Sequence, residues 1–519
     1  MTPTLPNLAL TPVAGAVPAW RAEADAERWL AACQAVAQAG GRIAALWASD
    51  ESASGPGYRV CALLVVHEGL VCLELRVPED AATYPDLSAL FPAAGRMQRA
   101  AFDMVGVRAL RPEGDAPDPR PWLRHGAWPE DAFPLRNDFD AASAFPIEPD
   151  RYAFVRVDGE GVHEIPVGPV HAGTIEPGHF RFSIVGEKLL RLEERLGYKH
   201  KGIEKRFAAL SLEDGARLAG RVSGDSTVAY AWAYAMALEG ITGTQPSARA
   251  LGLRALLLER ERVANHLGDL GYLGNDCALA FGFTQFWRMK EDLLRANQAL
   301  FGHRYLMDRI VPGGVACDVD AAGAKLLIDE ALRLKDELRA MRSIYYNHAG
   351  LQDRCITTGR LTPRTAARLG VVGLAARASG HAIDVRAYPG FAPYDRFAPK
   401  LASHRNGDVA ARIVVRFEEA FESLRLQRVI LEQLAEGPLR APLNPAAEGA
   451  FGLGWVEGWR GEVIVALEAG AGGRTRRCHA HDPSWQNWPA LEHAVIGNIV
   501  PDFPLINKSF NLSYAGQDL

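Results

Sequence analysis

The hydrophobic period of the chain changes partway along its length. In the first part, apolar residues come in strand-length runs: 42–47, 58–66 and 70–77 are short, rich in Val and Leu, and separated by glycine. From Leu212 onward the spacing is helical. The window 248–271 is the clearest case, with Leu253, Leu256, Val263, Leu267 and Leu270 on one face. Glu259, Arg262 and His266 line another face, spaced to form a buried ion-pair network. Segments 285–301, 322–343, 363–378 and 408–437 also predict helices. A chain of 519 residues that switches period in this way folds as more than one domain.

Taken in order, residues 1–21 read as a disordered or draped arm. A helix is expected over 22–38, stopped by Gly40-Gly41, followed by the three strands with a hairpin turn at H-E-G-L. Residues 22–109 thus form a small α+β domain. Residues 110–150, rich in Pro, Asp and Arg and without period, read as a linker laid across a surface. Residues 151–519 form the large domain. It opens with a loop bearing His171, Glu176 and His179, after which Phe180, Phe182 and Ile184 alternate as in a strand. Local propensity favours helix over 186–206.

The bulk composition excludes several classes. Hydrophobic residues at 48%, charged residues at 23% and a net charge of −5 describe a globular chain without the basic surface that nucleic acid requires. No apolar run reaches the ~18 residues of a membrane-spanning helix. The seven cysteines are widely spaced, which fits buried thiols in a reducing compartment rather than a disulfide framework or an iron–sulfur ligand set. No G-x-G-x-x-G strand–helix fingerprint for NAD is present.

Motifs in the expected order across the large domain carry a resemblance. They include G-P-V-H-A-G-T-I-E-P-G-H-F-R-F, G-Y-K-H-K-G-I-E-K, R-V-S-G-D-S, E-R-V-A-N-H-L, A-R-A-S-G-H, E-G-W-R-G-E, D-P-S-W-Q-N-W-P-A-L and the terminal N-L-S-Y-A-G-Q-D-L. Together they resemble the nickel–iron hydrogenase large subunit and the 49-kDa subunit of complex I. Upstream, Y-P-D-L-S-A-L-F-P followed by D-M-V-G-V, and then W-P-E-D-A-F-P-L-R-N-D-F, are similar to the 30-kDa subunit of complex I, a docking element. A 30-kDa-like domain fused ahead of a hydrogenase-like domain resembles the large subunit of hydrogenase-4 and formate hydrogenlyase complexes. The fold expected is α+β: a small α/β sandwich-like N-terminal domain and a large, mainly helical domain with small sheets.

The resemblance locates a metal site and also shows its ligands replaced. The family's four nickel-binding cysteines fall on Ser223, Ser226, Ser513 and Gly516. A serine hydroxyl does not ionise near neutral pH as a thiol does, and it is a poor donor for a soft nickel–iron site. The implied chain binds no metal or cofactor itself and is not a hydrogen-activating enzyme. Its emptied cavity is expected to take a quinone or another acceptor. Electrons would come from a [4Fe-4S] cluster in a partner small subunit of the complex I 20-kDa type, with ion movement through membrane subunits. Glu176, Asp225, His171 and Arg460 are the catalytic candidates, and His179, Ser223, Ser226 and Ser513 the binding candidates. Glu176 falls on the family's proton-passing glutamate. One of His171 and His179 falls on the quinone-contacting histidine, and the motif does not choose between them. Asp384, Arg386 and Tyr388 are read as structural, and Trp485 and Trp488 as packing anchors. The expected location is peripheral, on the inner face of the cell membrane. The alternative is a non-catalytic coupling subunit of the same kind of assembly.

Overall fold

The computed structural model describes residues 2–519 other than Ser54, Pro56, Asp150, Ala172 and Thr174. Its N-terminal domain is built on a sheet of β1 (Thr11–Pro12), β2 (Ala19–Ala24), β3 (Arg42–Asp50), β4 (Tyr58–Val66) and β5 (Gly69–Val77), in the order β1-β2-β5-β4-β3. β2 and β5 run parallel and the other neighbours antiparallel. Within the arm expected over 1–21, residues 11–12 and 19–21 are strand and join the sheet. β2 buries Ala19, Trp20 and Ala22 and covers the edge that β5 would otherwise expose.

The first helix, Ala26–Gln38, starts later than expected because residues 22–24 belong to β2. Asp25 caps it by accepting the Arg28 N–H at 2.9 Å. Trp29, Ala32, Cys33 and Val36 cover one face of the sheet. The other face, with Ala45, Trp47, Cys61, Leu63 and Cys72, joins the core of the large domain beside Val228, Trp232 and Ile464. Arg42–Glu462 and Arg59–Glu468, each 2.5 Å, span the same junction. The small domain is thus docked on the large one over its whole sheet face. Segment 110–150 is fastened as well: buried Asp103 accepts the N–H groups of Trp122, Leu123 and Arg124 at 2.6, 2.6 and 3.2 Å.

In the large domain, Val162–Val167, His179–Val185 and Lys188–Arg195 form an antiparallel sheet. Over 186–206 local propensity favours helix while the family resemblance implies strands; most of the segment is the strand Lys188–Arg195, and only Ile203–Ala208 is helical. Leu189, Leu192 and Leu196 are buried in one cluster with Phe180 and Phe182, and that burial overrides helix propensity. Helices Thr227–Thr242, Ala248–Asp276, Ala280–Phe301, Ala321–Asn347 and Val409–Glu432 form the body. The segment expected as one helix over 363–378 is two, Pro363–Leu369 and Gly373–Ala378, separated by Gly370 in a left-handed conformation (φ 67°).

Helix Thr227–Thr242 is apolar on nearly all sides and sits at the centre. It packs on the first strand of a second antiparallel sheet, Phe451–Glu457, Glu462–Ala469 and Thr475–His481. Gly454 permits that approach, since a Cβ there would lie 1.8 Å from the Ala233 carbonyl oxygen. The turn between the first two strands delivers Trp459 and Arg460 to the start of the central helix.

Candidate functional site

The segment Arg221–Ser226 turns immediately before helix Thr227–Thr242, so Ser223, Asp225 and Ser226 lie at its N-terminal end. Ser226 does not cap the helix with its side chain. Glu261, from the long helix Ala248–Asp276, does so instead, accepting the Val228 N–H at 2.7 Å and the Ala229 N–H at 3.2 Å. The C-terminal turn comes alongside. Ser513 N–H donates to Ser484 Oγ at 2.9 Å, Ser513 Oγ accepts the Gly516 N–H at 2.9 Å, and Trp488 donates to the Ser513 carbonyl.

These pieces bring together five of the expected residues. Ser223 Oγ lies 2.9 Å from Ser513 Oγ and donates to Asp225 Oδ1 at 2.9 Å. Arg460 grips Asp225 as a two-pronged fork, at 2.8 and 2.5 Å, and donates to Ser226 Oγ at 3.3 Å and to the Asn511 carbonyl at 2.5 Å. The guanidinium also stacks on Trp459, 3.9 Å from the ring centre. The surrounding protein disfavours the Asp225 charge, but the Arg460 fork and the Ser223 hydroxyl outweigh it and hold the carboxyl down to about 2. Asp225 is therefore an anion throughout the physiological range, and the pair is a fixed dipole.

The group that sequence reasoning missed lies beside Gly516, the position that the resemblance assigns to the fourth ligand. A Cβ on Gly516 would stand 2.2 Å from Asp482 Oδ2. Asp482 is buried, accepts the Tyr230 hydroxyl at 2.7 Å and caps Ser484 N–H at 2.8 Å. A side chain at the position that the resemblance assigns to the fourth thiolate would meet the Asp482 carboxylate, which reaches in from the D-P-S-W segment. The only trace in the sequence is an aspartate before a proline at a helix start.

This donor set does not fit a nickel–iron thiolate centre: three hydroxyls are hydrogen-bonded to one another or to Arg460, and the fourth place is closed. The positions that the resemblance assigns to the ligands are thus occupied by hydrogen-bonded polar side chains. Open volume lies next door. A cavity of about 300 Å³ is lined by Gly224, Asp225, Glu261, Lys290, Leu306 and Met307 among others. Burial pushes the Glu261 carboxyl up to about 8, against the pull of its two amide donors. Lys290 forms no ion pair among the described residues; its ammonium lies 5.1 Å from the Trp287 ring centre, and burial lowers its pKa. Glu261 does not stand out in sequence, because it owes its role to a long-range contact.

The other candidates lie apart. Glu176 Oε2 accepts the Ala515 N–H at 2.9 Å, which ties it to the C-terminal turn beside the serines, and its Oε1 lies 3.8 Å from Lys199 Nζ. The hydrogen bonds of the two histidines stay within their own loop: His171 Nε2 lies 2.8 Å from the Gly178 carbonyl, and His179 Nδ1 lies 3.3 Å from the Gly168 carbonyl. Glu259, Arg262 and His266 do enter a buried network, with Asp384, Arg386 and Glu419. Tyr388 is exposed and reaches the His67 carbonyl of the small domain. Trp485 and Trp488 are buried packing anchors.

A docked α+β domain ahead of a helical body with this polar centre defines the class of fused complex I-type subunits. The family models described as "Respiratory-chain NADH dehydrogenase, 30 Kd subunit" and "49 Kd subunit" match residues 22–144 and 276–449. Formate hydrogenlyase subunit 5 of Escherichia coli (strain K12) is 31% identical over 487 residues, covering 92% of this chain and 85% of that protein. Hydrogenase-4 component G of the same organism is 30% identical over 488 residues, covering 92% and 84%. A chain from the membrane-bound sulfane sulfur reductase, an archaeal respiratory membrane complex, shares the fold with a TM-score of 0.65 at 23% identity, over 69% of this chain and 99% of that one. The chain belongs to the hydrogenase and complex I large-subunit family that includes formate hydrogenlyase subunit 5 and hydrogenase-4 component G.

Proposed function

We propose that this chain is the large subunit of a membrane-associated oxidoreductase that reduces an organic carbonyl acceptor, such as a quinone headgroup, in the cavity beside Asp225. The observation that carries the reading is the presence of both Glu261 and Lys290 on the wall of that cavity. Its volume is at the lower end for small-molecule sites and suits a single substituted ring. Lys290 would donate to one carbonyl oxygen, and the acid form of Glu261 would protonate the developing alkoxide. The Asp225–Arg460 dipole would orient the ring. Electrons would arrive from a [4Fe-4S] cluster in a partner iron–sulfur subunit; two electrons and two protons convert quinone to quinol. Glu176 and one of His171 and His179 would carry protons toward the C-terminal turn, and membrane partners would use the reaction to move ions. No helix among the described residues is long and apolar enough to cross a membrane, so attachment would run through those partners. A coupling subunit without chemistry is the second reading, favoured by the plugged ligand positions.

The test is reduction of a short-chain quinone by reduced ferredoxin in the isolated complex. Glu261→Gln is expected to lower turnover roughly 10²-fold with the complex intact. The sign of the pH dependence follows from the raised pKa. Glu261 holds its proton below about 8, so wild-type turnover falls as pH rises through that value, and the variant loses this limb. The Asp225→Ala, His171→Ala double variant should also collapse turnover. Unchanged rates and pH profiles in all variants would leave the coupling reading in place.

A further inference from the structure

We propose that Cys277 and Cys355 form an oxidation-sensitive dithiol that closes to a disulfide and staples the end of the long helix to its neighbour. Cys277 is the residue that ends helix Ala248–Asp276, and Cys355 is the last residue of helix Ala349–Cys355. The two sulfurs lie 3.5 Å apart although 78 residues separate them in the chain. A disulfide requires about 2.05 Å between sulfurs, so the two must approach by a further ~1.5 Å. Cys277 sits in the three-residue connection to helix Ala280–Phe301, where Ala278 takes a left-handed conformation (φ 61°). That short connection holds one partner, and helix Ala349–Cys355 holds the other.

The two thiols are not equivalent. Cys277 keeps 6% of its surface exposed and Cys355 none. The hydrogen bond from Cys355 lowers the Cys277 pKa, and the Arg354 guanidinium adds to this, while Cys355 is pushed up. Cys277 is therefore the attacking thiolate and Cys355 the resolving thiol. With a peroxide as oxidant, Cys277 sulfur attacks one peroxide oxygen, the O–O bond breaks, and hydroxide leaves as water after protonation. The Cys355 sulfur then attacks the sulfenic sulfur, the S–O bond breaks, and a second water leaves. Two thiols and one hydrogen peroxide give one disulfide and two waters.

A second close pair provides an internal control. Cys61 and Cys72 lie within 4.8 Å of each other on the sheet face that packs on the large domain. Cys61 is 2% exposed and Cys72 not at all, and the hydrogen bond with Cys61, with burial, holds the Cys72 thiol far above its usual range. Glu74 beside them is already paired with Arg21 and Arg59, so the group does not act as a metal site. The same oxidant should leave this pair reduced.

The experiment treats the full chain, in its complex, with graded hydrogen peroxide, alkylates the remaining thiols after denaturation, and maps linked peptides by mass spectrometry. A Cys277–Cys355 link is expected at peroxide levels that leave Cys61 and Cys72 fully alkylated, reversed by dithiothreitol. In Cys355→Ser, Cys277 is expected to stop at the sulfenic acid and be captured by dimedone. The wild-type map alone decides the matter if that variant folds poorly. Cys277 and Cys355 both remaining alkylatable while other thiols oxidise would overturn the proposal, as would Cys277 passing to sulfinic acid in the wild type without any link.

Discussion

Replacing Glu259 with alanine is expected to cost about 3–5 kcal/mol, the range for breaking a buried ion pair by removing one partner. The side chain is fully buried. It accepts from Arg386 at 3.0 and 3.1 Å, from the Tyr394 hydroxyl at 2.5 Å, from Ser423 at 2.6 Å and from Arg262 at 3.3 Å. Without it, Arg386 keeps only Asp384, and two hydroxyls lose their acceptor inside the protein. Burial works against the Glu259 charge, yet the two guanidiniums and the hydroxyls outweigh it and hold the pKa below the usual carboxylate value. A depressed folded-state pKa contributes stability that is present above the unfolded-state value and is lost as pH falls through the folded one. The alanine variant should therefore lose part of the acid sensitivity of the wild type as well as its stability. The effect reaches the site, because Arg262 also holds the Glu457 and Gly458 carbonyls at 2.6 and 2.8 Å, and Arg460 follows two residues later. Thermal unfolding of wild type and variant across pH 4–8 is the measurement. A shift equivalent to less than about 1 kcal/mol, the size of an exposed pair, would show that the network is not what holds these elements together.

That network was legible in the sequence as spacing, and the reason is local. Residues three and four apart on a long helix share a face whatever the rest of the fold does. The same locality made strand Tyr58–Val66 and helix Val409–Glu432 readable. It failed where a segment's partner is distant. Lys188–Arg195 carries good helix formers but pairs with His179–Val185 and buries its leucines there. Residues 19–24 read as the start of a helix or the end of an arm until β5 is present to pair with them. The candidate site divides in the same way. The polar cluster of Ser223, Ser226 and Ser513 was visible because the motifs around it resemble the family's even without cysteines. The group standing where the fourth thiolate would be was not, because a glycine gives no hint of what fills the space beside it. Glu261 was likewise hidden: its role comes from capping the N–H of Val228, 33 residues earlier.

The consequence for metal chemistry is direct. Converting Ser223, Ser226, Ser513 and Gly516 to cysteine is expected to leave the chain without nickel, because the obstacle is Asp482 rather than the missing sulfurs. The Gly516→Ala change isolates that obstacle. A Cβ placed 2.2 Å from Asp482 Oδ2 and 3.0 Å from Ser513 Oγ has no room, and overpacking a tight site costs about 1–3 kcal/mol. Asp482 does not simply swing away, since the Tyr230 hydroxyl and the Ser484 N–H hold both of its oxygens. Asp482→Ala alone should also destabilise, by leaving the buried Tyr230 hydroxyl unpaired. The two changes together should cost less than their sum, because the smaller residue at 482 admits the Cβ at 516. The same logic applies to metal content: nickel measured by mass spectrometry should stay at background in the four-cysteine chain, and uptake should require Asp482→Ala in addition. Stoichiometric nickel in the four-cysteine chain with Asp482 intact would mean that the carboxylate yields to a thiolate, and that the polar plug is a rearrangement of an open site rather than its replacement.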